Sequence, residues 1–179
     1  SPGFVDNHCH YDAQVTWDSL CTFSCYHGAT TVVIGNCSLS LAPIRSGSQD
    51  RVAEFLSYVE AIPMDVLRTV DFSWETVPQY MDSLESRLGV NVGTLVGHSA
   101  VRHYVMGDEC QGRPATGDEI EAMQDIVREA INAGALGLSI SKNMGHTDPQ
   151  GVLVPAVHAT EEEIFALGGV LRELGTGII

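Results

Sequence analysis

The sequence is poor in basic residues, and this scarcity excludes two classes of partner. Lys142 is the only lysine among 179 residues, and nine basic residues face 23 acidic ones, which gives a net charge of −14. No basic patch of useful size can form to neutralise phosphates, so we expect no nucleic-acid partner. Binding to an anionic membrane surface is disfavoured for the same reason.

Long hydrophobic runs and closely spaced cysteine pairs are also absent. No apolar run approaches the roughly 20 residues that span a bilayer, and the visible start shows no signal-peptide pattern, so we expect no membrane association. The five cysteines are scattered, odd in number and include no Cys-x-x-Cys pair. This distribution predicts reduced thiols rather than a disulfide framework, and with them a cytoplasmic location.

The chain does contain a regular alternation of apolar, β-branched runs with helical patterns. The predicted strands comprise residues 3–8, 30–35, 90–96, 136–141 and 175–179. The predicted helices comprise residues 15–27, 49–60, 75–88, 116–133 and 160–174. Thr116 with Glu119, and Thr160 with Glu163, have the spacing of capping boxes at the starts of the last two helices. Strands that alternate with helices predict a parallel α/β sheet with right-handed crossovers.

Two architectures fit this order of elements: an open, doubly wound sheet and a (β/α)8 barrel, the TIM barrel. A TIM barrel typically needs about 250 residues. This chain has 179 residues and supplies about four βα units plus the start of a fifth strand. We therefore interpret residues 1–179 as the N-terminal portion of a single catalytic barrel domain.

His8 and His10 lie two residues apart at the end of the first predicted strand. Alternate side chains of a strand point to the same side, and the C-terminal ends of the strands form the active-site face of barrels. Two imidazoles placed in this way can bind one divalent metal ion at about 2.0–2.1 Å. The pair alone is equally typical of ordinary surface or turn histidines, so its context decides between the two interpretations.

The segment around these histidines resembles the first strand of the amidohydrolase superfamily. This resemblance rests on the run Pro2-Gly3-Phe4-Val5-Asp6-Asn7-His8-Cys9-His10-Tyr11-Asp12. The run Gly28-Ala29-Thr30-Thr31-Val32-Val33-Ile34-Gly35-Asn36-Cys37 is similar to the segment that delivers a metal-binding cysteine in the D-aminoacylase (N-acyl-D-amino-acid deacylase) branch. Further similar segments are residues 60–64, 96–102, 104–107, 113–116 and 134–139. The resemblance covers nearly the whole chain and implies a partial TIM barrel of the metal-dependent hydrolase type.

The resemblance also implies a ligand set. His8 and His10 would bind a more exposed metal, and Cys37 would bind a more buried one and bridge to the first. A thiolate ligand suits zinc, so the implied cofactor is one or two Zn²⁺ ions. The alternative for Cys37 is a buried small hydrophobic residue, because free cysteines usually lie in such positions. Ser38 follows the cysteine where the family usually has glycine, a change that alters the loop rather than the ligand.

The implied site is incomplete within this chain. The family places two further histidine ligands and a catalytic aspartate on later strands, so the expected aspartate lies beyond Ile179. The family's small β-sandwich is absent as well. We therefore expect residues 1–179 alone to bind metal weakly or not at all and to be inactive.

Five further residues are weaker candidates for binding substrate or supporting the ligands. Asp12 either orients a ligand or caps the following helix. His98 and Arg102 either line the pocket, where Arg102 would pair with an anionic substrate group, or fix their loop by hydrogen bonds. Lys142 follows the fourth predicted strand and would act as a metal-bridging carboxylated lysine, contact a substrate carboxylate or face solvent. His146 lies on the next loop, near the expected site.

For the parent protein, the resemblance implies a hydrolase of linear amide bonds that deacylates N-acyl-D-amino acids through a zinc-activated water. Its substrate is then a small N-acyl amino acid, and the sequence leaves the oligomeric state open. Two alternatives remain: a hydrolase of cyclic amides from the same superfamily, and a non-catalytic fragment with an incomplete metal site.

Overall fold

A computed structural model describes residues 2–179 as four parallel strands, with helical structure between and after them. The strands are β1 (Phe4–Asp6), β2 (Ala29–Ile34), β3 (Asn91–Gly97) and β4 (Gly137–Ser139). They are hydrogen-bonded in the order β1-β2-β3-β4, and each neighbouring pair is parallel. A parallel bridge between Gly137 and Ile178 lies where the sequence predicts the start of a fifth strand.

The helices fill the connections between the strands. The α-helices are α1 (Gln49–Val59), α2 (Met64–Leu67), α3 (Val77–Glu85), α4 (His98–Met106), α5 (Gly117–Asn132) and α6 (Glu161–Leu174). Short 3-10 helices comprise Gln14–Thr16, Ser24–His27, Gly107–Gln111 and Pro155–His158. Within residues 2–179, no helix is long and apolar enough to cross a membrane.

The strand order distinguishes the two predicted architectures. In a doubly wound sheet the order reverses at a switch point, whereas in a barrel the strands follow one another around the sheet. Here the order in the sheet equals the order in the chain, and the sheet curls as half of a barrel does. The prediction of a partial TIM barrel is therefore confirmed.

The hydrophobic core lies between this sheet and the helices. Val32 and Ile34 of β2 are almost completely buried, and so are Met123 and Val127 of α5. Helix α5 presents a stripe of apolar residues spaced at helical intervals, and it packs beside α6. Each such side chain contributes about 1.5–3 kcal/mol when it is fully buried, so this layer fixes the strands whose ends carry the candidate site.

The sheet has open, apolar edges. Phe4 and Val5 of β1 are 66% and 64% exposed, and Ile179 is 72% exposed beside the bridge at Ile178. An unpaired strand edge with exposed apolar side chains can pair with a further strand.

The predicted helix over residues 15–27 is wrong. The structure has two short 3-10 helices there, separated by a turn in which Cys21 has a φ of 49°. The cause is the side chain of Asp18, which accepts hydrogen bonds from the backbone N–H groups of Leu20 (3.2 Å) and Thr22 (2.8 Å). A side chain that binds nearby N–H groups in this way replaces the backbone bonds of a helix.

Helix α4 was not predicted from the sequence. It begins at His98, directly after β3, and Gly97 at its N-cap offers no side chain to cap it. Its buried positions include the polar residues His98, Ser99 and Arg102, so apolar side chains do not mark its buried face in the sequence. His103 of this helix is buried as well.

Candidate metal centre

His8 and His10 lie just past the C-terminal end of β1. The strand itself ends at Asp6, but the backbone N–H of Cys9 still donates to the carbonyl of Val33 on β2 (3.1 Å). This extended pairing keeps the alternation of side chains, so Cys9 is buried while the two histidine rings face each other. Their ring centroids are 5.4 Å apart in an edge-to-face arrangement.

Cys37 lies on the loop after β2, and glycine is required where that loop leaves the strand. Gly35 has a φ of 80°, and a Cβ atom there would collide with the backbone carbonyl of Leu95 on β3. Cys37 and Ser38 also have positive φ values, 54° and 66°. Non-glycine residues in this region cost about 1–3 kcal/mol each, and such strain concentrates at functional sites.

Hydrogen bonds hold this strained loop against its neighbours. The side-chain amide of Asn36 donates to the carbonyls of Cys9 (3.2 Å) and Val33 (2.8 Å). The backbone N–H of Ser38 donates to the Ser139 hydroxyl of β4 (3.1 Å), and that hydroxyl donates in turn to the carbonyl of Gly35. The cysteine is thus fixed relative to β1, β2 and β4.

The two loops bring His8, His10 and Cys37 into one cluster. The Sγ atom of Cys37 lies 3.3 Å from Nε2 of His8, and one ligand atom from each residue lies within 4.8 Å of the others. Bonds of about 2.0–2.1 Å from imidazole and 2.3 Å from thiolate to a shared ion require separations of this order. Two imidazoles and a thiol form a donor set that suits zinc, so the residues present fit the implied metal.

The protonation of the cluster also suits a metal. Burial, followed by the charges of His8 and His146, lowers the pKa of His10 to about 4, so its ring is neutral at neutral pH and has a lone pair to donate. Burial and the charge of Glu60 raise the pKa of Cys37, so its thiol stays protonated until a cation is close.

Glu60 is a site residue that sequence reasoning did not identify. Its Oε1 atom lies 3.5 Å from Nδ1 of His10, and burial raises the pKa of its carboxyl group. The sequence contained two signals: Glu60 opens the segment 60–64 that resembles the family, and it lies at the C-terminal end of α1, where a negative charge opposes the helix dipole.

Asp12 is completely buried behind the cluster. Neither carboxylate oxygen makes a hydrogen bond of regular geometry, and burial raises the pKa of Asp12 to about 7, with backbone N–H groups such as that of Gly35 offsetting only part of this effect. It does not cap the following 3-10 helix, which has Ala13 at its N-cap and no side-chain cap. The capping role is therefore wrong, and the orientation of a ligand by Asp12 stays a prediction.

His98 and Arg102 lie away from the cluster, in a buried network centred on Glu163 of α6. His98 Nε2 is 2.6 Å from one carboxylate oxygen of Glu163, and the Arg102 guanidinium binds the other. Arg102 also donates to the carbonyls of Cys110 (3.1 Å) and Arg113 (3.0 Å). The structure therefore gives both residues the loop-fixing role rather than a place in the pocket.

Lys142 also has a structural role, because its hydrogen bonds fix a neighbouring segment of the backbone. Its ammonium group donates to the carbonyls of Val157 (2.7 Å) and Ala159 (2.6 Å) and points at that of Ala156. These bonds hold the 3-10 helix Pro155–His158. An ammonium engaged by three carbonyls corresponds neither to a carboxylated bridging lysine nor to a solvent-facing one.

His146, by contrast, is within electrostatic reach of His10. Its charge helps to lower the pKa of His10, and its Nδ1 atom is buried without a hydrogen-bond partner. The hairpin that carries it is pinned by buried Asp148, which accepts from Arg51 (2.8 Å) and from the backbone N–H of Val152 (2.8 Å). The structure thus holds His146 on a loop fixed by hydrogen bonds, and its role near the site stays a prediction.

Comparison with known proteins agrees with this fold. A sequence model of the amidohydrolase family matches residues 1–175, and the chain belongs to that family. The D-aminoacylase of Alcaligenes xylosoxydans xylosoxydans is 35% identical over 167 residues, which is 92% of this chain. Within the family, the chain stands in the D-aminoacylase branch, as its sequence motifs indicated.

Solved structures of that branch share the fold. A structure of D-aminoacylase described by its binuclear metal centre has a TM-score of 0.74 and 34% identity over 98% of this chain and 33% of its own. The N-acyl-D-glutamate deacylase of Bordetella bronchiseptica, solved with zinc and a phosphonate mimic of the tetrahedral intermediate, has a TM-score of 0.74 and 30% identity, over 98% and 32%. The chain spans 30% of the length of the D-aminoacylase relative.

Proposed function

We propose that this chain is the N-terminal part of a catalytic barrel and that the longer protein is a zinc-dependent deacylase of N-acyl-D-amino acids. We refer to the polypeptide that contains this chain and the remaining strands as the full-length protein. The observation that carries the proposal is the meeting of His8, His10 and Cys37 at the ends of β1 and β2. The names of the similar proteins support the substrate class.

The chain's own residues have defined roles in this proposal. A bound zinc ion supplies Lewis-acid polarisation of the amide carbonyl and a water that ionises near neutral pH. His8 and His10 hold the ion through neutral imidazoles, and Cys37 does so once its proton has left. The exposed side of His8 leaves room for a small substrate. The general base is an aspartate expected on a later strand of the barrel.

The test is a zinc-dependent assay on the full-length protein. The protein is stripped with a chelator, reloaded with zinc and offered N-acetyl-D-amino acids with apolar and acidic side chains. The L-enantiomers serve as matched controls and a cyclic amide as a competing substrate. We expect hydrolysis of at least one D-substrate that disappears without zinc and returns on reloading.

Two results would contradict the proposal in different ways. Hydrolysis of the cyclic amide alone would favour the cyclic-amide alternative. If the fully zinc-loaded protein hydrolysed none of these compounds, the proposed activity would be wrong, although the protein binds metal.

A further inference from the structure

We propose that Glu60 is a positioning residue of the metal centre, whose carboxylate holds the His10 ring so that Nε2 faces the metal. This inference rests on the proposed function, because it takes His10 to be a ligand. It adds a residue outside the ligand set and gives that residue a defined role, which is to select the ring nitrogen of His10 that binds metal.

The contact between the two side chains is specific. Glu60 Oε1 lies 3.5 Å from His10 Nδ1, and each side chain is only 18% exposed. The Nδ1 atom is buried and has no hydrogen-bond partner of regular geometry, so this carboxylate is the acceptor it faces. The distance is slightly longer than the 2.7–3.2 Å of a regular N–H···O bond.

Glu60 lies outside the cluster of potential metal ligands. The potential metal ligands that cluster within 4.8 Å in residues 2–179 are His8, His10 and Cys37, and Glu60 is not in that set. Its charge nevertheless acts on the groups around the site: it contributes to the raised pKa values of Cys37 and Asp12. A carboxylate that contacts one ligand from outside the cluster has the geometry of a group that orients a metal-binding histidine.

Local stability does not explain this carboxylate. Glu60 ends α1, where an acidic side chain opposes the helix dipole, and it is partly buried. Within the described part of the chain, no lysine or arginine forms a salt bridge with it. The next residue, Ala61, has a positive φ of 55°. A position with several unfavourable local features and one contact to a site residue indicates a functional role.

The role of Glu60 in selecting the His10 nitrogen follows from the chemistry of a neutral imidazole. A neutral ring carries one N–H and one lone pair, and the hydrogen bond made by one nitrogen decides which nitrogen binds metal. An acceptor at Nδ1 stabilises the tautomer with the proton there and leaves the Nε2 lone pair for the ion. Without Glu60, the ring is free to adopt the other tautomer or to rotate.

The experiment measures zinc affinity in the full-length protein by competition with a chromogenic chelator. Glu60→Ala removes the carboxylate, Glu60→Gln keeps an oxygen that can accept from Nδ1, and Asp50→Asn removes an exposed carboxylate from the same helix. Loss of a group that supports a metal ligand typically weakens binding about 10–100-fold. We expect that loss for Glu60→Ala, a smaller one for Glu60→Gln and wild-type affinity for Asp50→Asn.

The melting temperature of the metal-free protein separates positioning from folding. We expect it to be unchanged or higher in Glu60→Ala, because the substitution removes a charge from an unfavourable helix end. A lower value that accounts for the lost affinity would overturn the positioning role. The positioning role would also be wrong if Glu60→Ala kept wild-type zinc affinity while His10→Ala bound zinc weakly. In that case the proposed function would stand. A wild-type protein that binds no zinc would overturn both.

Discussion

Replacing Cys37 with alanine in the full-length protein removes most of the bound zinc and, with it, the hydrolysis of N-acyl-D-amino acids. Cys37 is the one thiol of the cluster, and its loop is held by hydrogen bonds to β1, β2 and β4. The substitution deletes a ligand itself, so we expect zinc affinity to fall by more than the roughly 10–100-fold typical of residues that only support ligands.

Zinc content per protein and the initial rate of hydrolysis are the two quantities to measure. Cys25→Ala is the matched control, because Cys25 is also a free, partly buried cysteine but lies in the 3-10 helix Ser24–His27. We expect it to keep both zinc and activity. A Cys37→Ala protein with full zinc content and a normal rate would show that the cysteine is only a small buried residue.

Replacing Glu163 with glutamine destabilises the full-length protein by about 3–5 kcal/mol, because it leaves the Arg102 guanidinium buried without a counter-charge. Burial also lowers the pKa of His98, so its ring is neutral at neutral pH and its Nε2–H donates to the carboxylate. The carboxylate is thus the single negative charge of this network, and it ties the start of α4 to α6.

Urea unfolding at several pH values tests the role of this carboxylate. Burial alone would raise the pKa of Glu163, but hydrogen bonds from His98 and Arg102 lower it below its usual value. A group with a lowered pKa contributes stability that is present above its unfolded pKa, about 4.3 for glutamate. That contribution disappears as the pH falls through the folded pKa. The wild type should therefore lose its advantage over Glu163→Gln only in acid.

The neighbouring residue provides the control. Glu162→Gln changes the same residue type on the same helix at an exposed position, and we expect a change of less than about 0.5 kcal/mol. Equal unfolding free energies for the two variants at neutral pH would mean that the buried network contributes little to the fold.

Most of the fold was predictable because its elements carry local signals. The buried strand over 30–35 corresponds to β2, Ala29–Ile34, and the predicted helix over 116–133 corresponds to α5, Gly117–Asn132. The capping box of Thr116 and Glu119 is present. Hydrophobic periodicity and cap residues act over a few positions, so a sequence shows them directly.

The errors arise where side-chain contacts or burial override the local signals. The predicted helix over 15–27 failed because the side chain of Asp18 binds backbone N–H groups that a helix would use. Helix α4 was missed because several of its buried positions hold polar side chains, such as His98 and Arg102, which bind Glu163. Thr160 caps α6 as predicted, but Glu163 does not complete a capping box, because its carboxylate binds His98 and Arg102 instead.

Only those residues of the candidate site that lie in family-like motifs could be predicted from the sequence. His8, His10 and Cys37 lie in segments that resemble the family, and the structure brings the three together. The roles of Glu60 and Lys142 depend on contacts with residues far away in the sequence, such as the 50 positions between Glu60 and His10. No periodicity or spacing reports such a contact, so these roles require the folded chain.

The most direct test of the proposed metal centre is X-ray absorption at the zinc edge of the zinc-loaded full-length protein. We predict a sulfur neighbour at about 2.3 Å together with nitrogen or oxygen neighbours at about 2.0–2.1 Å. The sulfur signal should vanish in Cys37→Ser and persist in Cys25→Ser. A spectrum that contains only nitrogen and oxygen neighbours, or a sulfur signal unchanged by Cys37→Ser, would contradict a centre built on His8, His10 and Cys37.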